Sequence, residues 1–474
     1  MPSAGFLIYS GAMPLIKTFL GIFAGYFLAR TGLFPKSASK GASEITMTVA
    51  LPAMIFANIV PAFTPQNISA LGPLFLLSFV YQGIGFAFGL IIREFCYVPR
   101  NFWQGIIIMT TMSNWGNLPT AVVVSVTQQK PFDPITDPAL GISFVAIFIV
   151  SYNLVFWVFG GAHSLSWDYL PGVPQGEEAE RHVSWKEKPI GSLVAKYILR
   201  QQVVPPSRVV KHDELEKGKE AAVEDTTPSP PLLQYKEPIA AFETSPDLTE
   251  TRVSQISRTP VSTPTTPSAA PSGPQPTVAT HSLLYRIFHP LMALFHPVTM
   301  TLLISLPIAL VNPLKALFVD VSKLGGPNFQ GPDGRPPLAF IIDTAQFLGN
   351  ITVPLALILL GASFARLQIP RPISRLPVMA MMSVSLAKMV LMPVIGVFTV
   401  QAMVSGGLIN RQARAEKFVA IFLSGTPAAV NQLIVSSLYA PDGNVDTLSA
   451  FLLVQYIFMF FSSAALTAVA LLLS

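Results

Sequence analysis

Charge is scarce in this sequence. Only 12% of its 474 residues are Asp, Glu, Lys or Arg, against about 25% in soluble globular proteins. Cysteine is nearly missing: Cys96 stands alone, which excludes an intramolecular disulfide and a cysteine-based zinc site. There is no HExxH pair, no GxxxxGK[ST] loop to cradle a nucleotide and no GxSxG elbow, so zinc peptidase, ATP-driven and serine-hydrolase chemistry find no footing. The expectation is a protein that is not an enzyme and needs no cofactor. Apolar residues fill the space that charge leaves: 51% of the chain is hydrophobic, and its mean hydropathy is +0.54. Lipid is the natural second solvent for such a chain, and the lipid bilayer its first partner. In that setting a net charge of +5 reflects basic cytoplasmic loops rather than nucleic acid, which is not expected as a partner.

A spanning helix needs roughly 20 mostly apolar residues. Ten runs qualify: about 6–30, 43–63, 70–93, 102–127, 139–160, 289–311, 338–362, 375–402, 415–438 and 447–473. The fold class expected is therefore an all-α polytopic membrane protein of ten transmembrane helices. The first run is too long for a signal-peptide core and is read as the first span. The domain reading is a five-helix repeat over 1–160, a linker over 161–285 and a second five-helix repeat over 286–474. The middle stretch holds 15 of the 25 acidic residues, and its portion 226–280 is dominated by Pro, Ser and Thr. Such a segment cannot bury enough apolar surface to offset its ordering entropy, so it reads as largely disordered. A short amphipathic helix near 182–203 suits a membrane surface. Arg30, Lys36 and Lys40 after the first run, and Arg93 and Arg100 after the third, put the N-terminus outside or lumenal and the linker in the cytosol. Arg366, Arg371 and Arg375 agree with this. Arg411, Arg414 and Lys417 fall on the other side and violate it.

Five runs on either side of a linker suggest a duplication, and an odd number per half inverts the second copy. Two pairs of proline-centred segments fit that. Val49-Ala-Leu-Pro52-Ala-Met-Ile-Phe matches Ile351-Thr-Val-Pro354-Leu-Ala-Leu-Ile. Ser113-Asn-Trp-Gly-Asn-Leu-Pro119 matches Ser424-Gly-Thr-Pro427-Ala-Ala-Val-Asn-Gln at a similar offset. In runs 4 and 9 a Gly and a Pro fall near the middle. Proline removes a backbone donor, and in lipid the freed groups must find partners or line a wet cavity. Two interrupted helices in matching positions mark a binding site whose half-helix N-termini favour an anion. Asn114, Asn117, Pro119, Thr426, Pro427, Asn431 and Gln432 are its candidate residues; a pair of simple proline kinks is the plainer alternative. Ionisable residues inside the runs are few. Lys388 can attract an anion or pair structurally with Asp343, whereas Lys17 and Glu44 lie near run ends, where snorkelling explains them. Tyr81 and Gln82 are candidates for either pocket lining or packing.

These residues carry a family resemblance. Leu-Pro-Ala-Met-Ile-Phe-Ala-Asn from Leu51, Gly-Asn-Leu-Pro from Gly116, Val-Pro-Leu-Ala-Leu-Ile-Leu-Leu-Gly-Ala from Val353 and Lys-Met-Val-Leu-Met-Pro from Lys388 resemble the auxin efflux carrier family. The closer likeness is to its PIN-like (PILS-type) branch, including fungal members, and it spans both helical blocks but not the linker. The resemblance implies two inverted five-helix repeats with broken helices 4 and 9 crossing at their prolines. It implies a scaffold group, a moving group and elevator-like alternating access. It also implies an indole carboxylate held at the crossover by an asparagine, here Asn117 or Asn114, and a location in the endoplasmic reticulum. The family's acidic support residue in the third span has no counterpart in Val80-Tyr81-Gln82-Gly83.

The reading that results is a secondary transporter for a small organic anion, an indole-type carboxylate among the candidates, with a homodimer kept as a candidate assembly. A channel, or a non-transporting receptor or scaffold acting through the linker, is the alternative.

Overall fold

The computed structural model describes residues 4–62, 68–200, 297–322, 325–368, 376–440 and 445–474, with the side chains of 4–12, 14, 15, 68, 117 and 118 excepted. The Pro/Ser/Thr-rich stretch 226–280, the first residues of the sixth apolar run, Arg371 and Arg375 lie outside the described residues. Every regular element described is helical. Six helices are long and apolar enough to cross a membrane: Lys36–Ala62, Ser69–Phe95, Asp137–Val158, Ala339–Arg366, Val378–Ser405 and Asp446–Leu473.

In chain order α1 is Ala4–Arg30, α2 Lys36–Ala62, α3 Ile68–Phe95, α4 Trp103–Thr111, α5 Asn117–Thr127 and α6 Asp137–Val158. After the short α7, Pro189–Tyr197, come α8, Pro297–Leu310, and α9, Ala339–Arg366. Then follow α10, Val378–Ser405, α11, Arg414–Phe422, α12, Asn431–Tyr439, and α13, Asp446–Leu473. Proline shapes several of these. In α2 and α10 a π turn (Thr46–Ala50 and Ala387–Leu391) ends two residues before Pro52 and Pro393, where the missing N–H loosens the ladder of i to i−4 bonds. In α9 the helix breaks at Asn350–Ile351, and Pro354 falls in the first turn of the restarted helix Thr352–Arg366. A first-turn proline costs little, because its N–H would have had no helical partner there.

Lipid tails are as apolar as leucine, so helices in a membrane associate through close packing, which small residues permit. The α1–α9 pair shows this. A Cβ at Gly25 would fall 2.1 Å from the Ile358 carbonyl oxygen, and one at Gly361 would fall 1.8 Å from that of Ile22. The α3–α4 contact works likewise, with a Cβ at Gly85 only 2.5 Å from the Thr110 carbonyl oxygen.

Residues 161–200, the leading part of the stretch read from the sequence as linker, are folded against helix ends. Asp168 is buried and its carboxylate accepts the backbone N–H groups of Gln104 and Gly105 at 2.7–3.0 Å, capping the start of α4. Lys188 donates its Nζ to the carbonyls of Arg93, Glu94 and Cys96 at 2.8, 3.0 and 2.6 Å, a cation at the C-terminus of α3. Glu94 in turn accepts from Arg93 at 2.7 Å and from the amides of Ile190 and Gly191 at the start of α7. Two of the charges in this stretch, Asp168 and Lys188, thus serve as caps. The helix α7 lies within the stretch expected to form an amphipathic helix, and Leu193 and Tyr197 are exposed on it.

Candidate functional site

Two apolar segments are broken in the middle, and they meet at their breaks. The first leaves helix after Thr111 and resumes at Asn117; the second leaves it after Gly425 and resumes at Asn431. Ser113 and Ala428 form an antiparallel bridge. Across it the Asn114 amide donates to the Pro427 carbonyl at 2.7 Å, and the Ala429 amide to the Met112 carbonyl at 3.2 Å. Thr426 is extended (φ −95°, ψ 149°), as the residue before a proline prefers. Pro119 lies buried in the first turn of α5, where proline is tolerated.

Backbone freed by the breaks needs partners, since most of it is buried. Side chains from the facing break and from other helices supply them. Trp115 donates its indole N–H to the Leu423 carbonyl at 2.9 Å, and the Tyr81 hydroxyl donates to the Ala420 carbonyl at 3.0 Å. Gln455 accepts from the Ala428 amide at 3.0 Å. Lys388 donates to the Thr110 carbonyl at 3.0 Å and to Ser113 Oγ at 2.8 Å. Gln432 donates to the Gly105 carbonyl at 2.8 Å.

Against one side of this crossover lies a cavity of about 470 Å3, walled by the breaks, by α1, α2 and α6, and by the interruption in α9. Asn58, Asn114, Asn153, Asn350 and Asn431 present amides to it, and Tyr152 and Tyr456 hydroxyls. Lys17 is the charged residue of its lining. Asn114 donates its Nδ2 to the Tyr456 hydroxyl at 3.3 Å, and its Oδ1 accepts the Gly116 amide at 3.3 Å. The buried Tyr152 hydroxyl interacts with the Asn431 side chain without a well-formed hydrogen bond among the described residues. Neither α5 nor α12 has a side-chain cap at its N-terminus. The positive dipole ends of both half-helices lie at this spot, although the Gln432 and Leu433 amides of α12 already donate to the Ala429 and Val430 carbonyls at 3.3 and 2.8 Å. Amides, hydroxyls, one cation and two helix N-termini thus stand together in an otherwise apolar wall.

The structure brings together only part of the residue set expected from sequence. Asn114 and Asn431 line the cavity. Asn117 opens α5 beside it, and its side chain is not among those described. Pro119, Thr426 and Pro427 shape the breaks. Gln432, Tyr81 and Gln82 are buried struts: Gln82 donates to Ser151 Oγ at 3.2 Å, tying α3 to α6. Two expectations are corrected. Lys388 is not in the lining of the cavity; its π turn carries it to the C-terminal end of α4, where a carbonyl and a hydroxyl accept its hydrogen bonds. Asp343 does not pair with Lys388; it is half-exposed and makes a two-pronged salt bridge with Arg335 at 2.8 and 3.0 Å. In exchange the cavity recruits Lys17, read from sequence as a snorkelling residue, because Gly21 on the same face of α1 lets α9 close in. Asn58 and Asn350 follow Pro52 and precede Pro354, and the repeated prolines were the available signal for them.

The profile of the family described as membrane transport protein matches residues 10–467. The chain is 24% identical to the Arabidopsis thaliana protein PIN-LIKES 2, over 96% of this chain and 92% of that one. It is 22% identical to the Saccharomyces cerevisiae protein ECM3, over 95% and 96%. An uncharacterized transporter of the same yeast is 28% identical over 35% of this chain and 26% of its own length.

Proposed function

The chain belongs to the membrane transport protein family, and on that premise we propose that it is a secondary transporter for a small organic anion, bound at the crossover cavity. The observation that carries the reading is the cavity's make-up: two uncapped helix N-termini and Lys17 facing one space among asparagine amides. A flat aromatic carboxylate, such as an indole carboxylate, matches both halves of that lining. Its carboxylate would take Lys17 and the asparagine amides beside the helix N-termini, and its ring the apolar wall of Leu51, Met54, Ile149 and Leu357.

The proposal extends to ten spans in two inverted repeats. Helix contacts support it, for they come in exchanged pairs when α1, α2, α3 and α6 are matched with α8, α9, α10 and α13. α1 packs on α9 as α8 packs on α2; α3 on α6 as α10 on α13; α2 on α6 as α9 on α13. α1, α2, α8 and α9 form one group and the remaining long helices a second, with the cavity on their boundary. Elevator-like movement of the second group along the first would carry the site between the two faces. By the positive-inside count the face of Arg30 and Arg366 is cytosolic. The likeness to the PIN-like branch favours the endoplasmic reticulum.

The test is binding of indole-3-acetate to the purified protein, followed by thermal shift and by radioligand saturation. A ligand of the folded state raises stability with its concentration. Asn114→Ala and Lys17→Ala should each weaken binding by about tenfold, close to 1.4 kcal/mol. Unchanged affinity in both variants would overturn the site; a shift with no carboxylate at all would overturn the anion reading.

A further inference from the structure

A second cavity of about 580 Å3 opens at the other end of α12, and its lining is basic and hydroxyl-rich. Lys36 and Lys40 come from the first turns of α2, Arg366 from the end of α9, and Ser437 from α12; Asp446 and Ser449 come from the start of α13. Arg366 is fixed in place: it donates to Ser39 Oγ at 2.7 Å and to the Phe34 carbonyl, and its guanidinium stacks 5.9 Å over the Phe34 ring. Lys36 and Lys40 are exposed and make no ion pair among the described residues. Ser449 is fully buried, lines the cavity, and its Oγ has no hydrogen-bond partner among the described residues. A buried hydroxyl left without a partner is rare in a folded protein and marks a place where a ligand or water supplies one.

We propose that this cavity is a second anion site, which binds a phosphate-bearing ligand. Three cations against the single carboxylate of Asp446 leave a surplus of two positive charges, the complement of a phosphate monoester at about −1.5 to −2. A monocarboxylate would leave that surplus half compensated. Arg offers phosphate a rigid fork and Lys a point charge, and the serine hydroxyls supply further donors. The volume falls in the range of about 300–1,000 Å3 of small-ligand sites, larger than inorganic phosphate requires and sufficient for a phosphorylated headgroup. Lys36 and Lys40 are the exposed cations of the cavity lining, basic residues such as draw anionic lipid to a membrane surface. Both a phosphoinositide headgroup and a soluble phosphate ester carry the required chemistry.

The site joins α2 and α9 on one side to α12 and α13 on the other. If the two groups move past each other as proposed above, an occupant bridging them holds the carrier in one state. The binding claim itself does not depend on that movement.

The experiment uses the purified full-length protein in three arms: inositol 1,4,5-trisphosphate in detergent, inorganic phosphate in detergent, and phosphatidylcholine vesicles with or without phosphatidylinositol 4-phosphate. Wild type, the exposed-residue variant Lys36→Ala/Lys40→Ala, and Lys17→Ala are compared, with indole-3-acetate binding measured in parallel. Saturable binding of the trisphosphate, weakened at least tenfold in the double-lysine variant and unchanged in Lys17→Ala, is the expected result. A preference for phosphatidylinositol 4-phosphate vesicles, lost in the same variant, assigns a lipid source; binding in the trisphosphate arm alone assigns a soluble one. No binding in any arm, or equal binding in the double-lysine variant, overturns the proposal. So does competition by indole-3-acetate that vanishes in that variant, since the cavity would then be a vestibule of the first site. Loss of indole-3-acetate binding in Lys17→Ala alone concerns the crossover reading and leaves this one standing.

Discussion

Single residues show how a chain poor in charge uses the charge it has. Three lysines end as cations at helix C-termini: Lys388 at α4, Lys188 at α3, and Lys315, whose Nζ reaches the Pro61 carbonyl at 3.2 Å, at α2. The carbonyls there have no helical partner and carry the negative end of the dipole. Lys388→Met should therefore act on folding, leaving a buried carbonyl and hydroxyl unsatisfied at a cost of about 1–3 kcal/mol. The expected outcome is a lower melting temperature with indole-3-acetate affinity within about twofold of wild type; a large affinity loss at unchanged stability would contradict it. Asp168 supplies a pH test. Burial pushes its carboxyl up from 3.8 to about 6, against the opposing pull of the Gln104 and Gly105 amides and the Arg100 and Arg93 guanidinium groups. The folded chain thus holds this proton more tightly than the unfolded chain. The group's contribution to stability falls as pH rises from about 4 to about 6 and is flat above. Melting curves of wild type and Asp168→Asn between pH 7 and pH 5 should diverge, the wild type gaining stability on acidification relative to the variant. Parallel curves would show that the carboxylate is better compensated than its burial implies.

Elements were legible in the sequence where they depend on local chemistry. The two breaks follow from Gly116, Pro119, Gly425 and Pro427 inside apolar runs, and the structure has both, joined to one another. What holds them was not legible. Tyr81, Trp115, Gln432 and Gln455 lie in apolar runs where nothing local says which face they take, and their partners are carbonyls and amides far away in the chain. The placement of Lys388 failed for the same reason: a cation in a span signals a partner, but the partner was backbone. The helix pairs themselves rest on glycine. Gly25→Val or Gly361→Val would drive a side chain into the backbone of the facing helix, costing at least the roughly 1–3 kcal/mol typical of overpacking and lowering the melting temperature. Gly83→Val is the control, because a Cβ there meets nothing within 4 Å. Equal stability of all three would mean that α1 and α9 do not pack as described.

At the scale of the whole molecule the question is whether one helix group moves against the other, and two serine contacts allow a direct test. Ser43 on α2 and Ser437 on α12 have their hydroxyls 3.4 Å apart, across the boundary between the proposed groups. Cys96, just beyond α3, lies 3.7 Å (Sγ to Oγ) from Ser383 on α10, within the second group. Side-chain tips in contact put each pair within reach of a disulfide once cysteine replaces serine, with the S–S bond drawing the tips together to about 2.05 Å. In a Cys96→Ser background, Ser43→Cys/Ser437→Cys should lose uptake of indole-3-acetate into proteoliposomes on oxidation and regain it on reduction. Ser383→Cys paired with the native Cys96 should keep uptake in both states, because its bridge ties together parts that travel as one. Oxidised Ser43→Cys/Ser437→Cys that still transports at the wild-type rate would exclude relative movement of the groups and leave a fixed pathway past the crossover. Loss of uptake in both bridged proteins would instead place the moving boundary inside the second group, between α3 and α10. The chain's lack of cysteine, with Cys96 alone to remove, is what lets each bridge be read without interference.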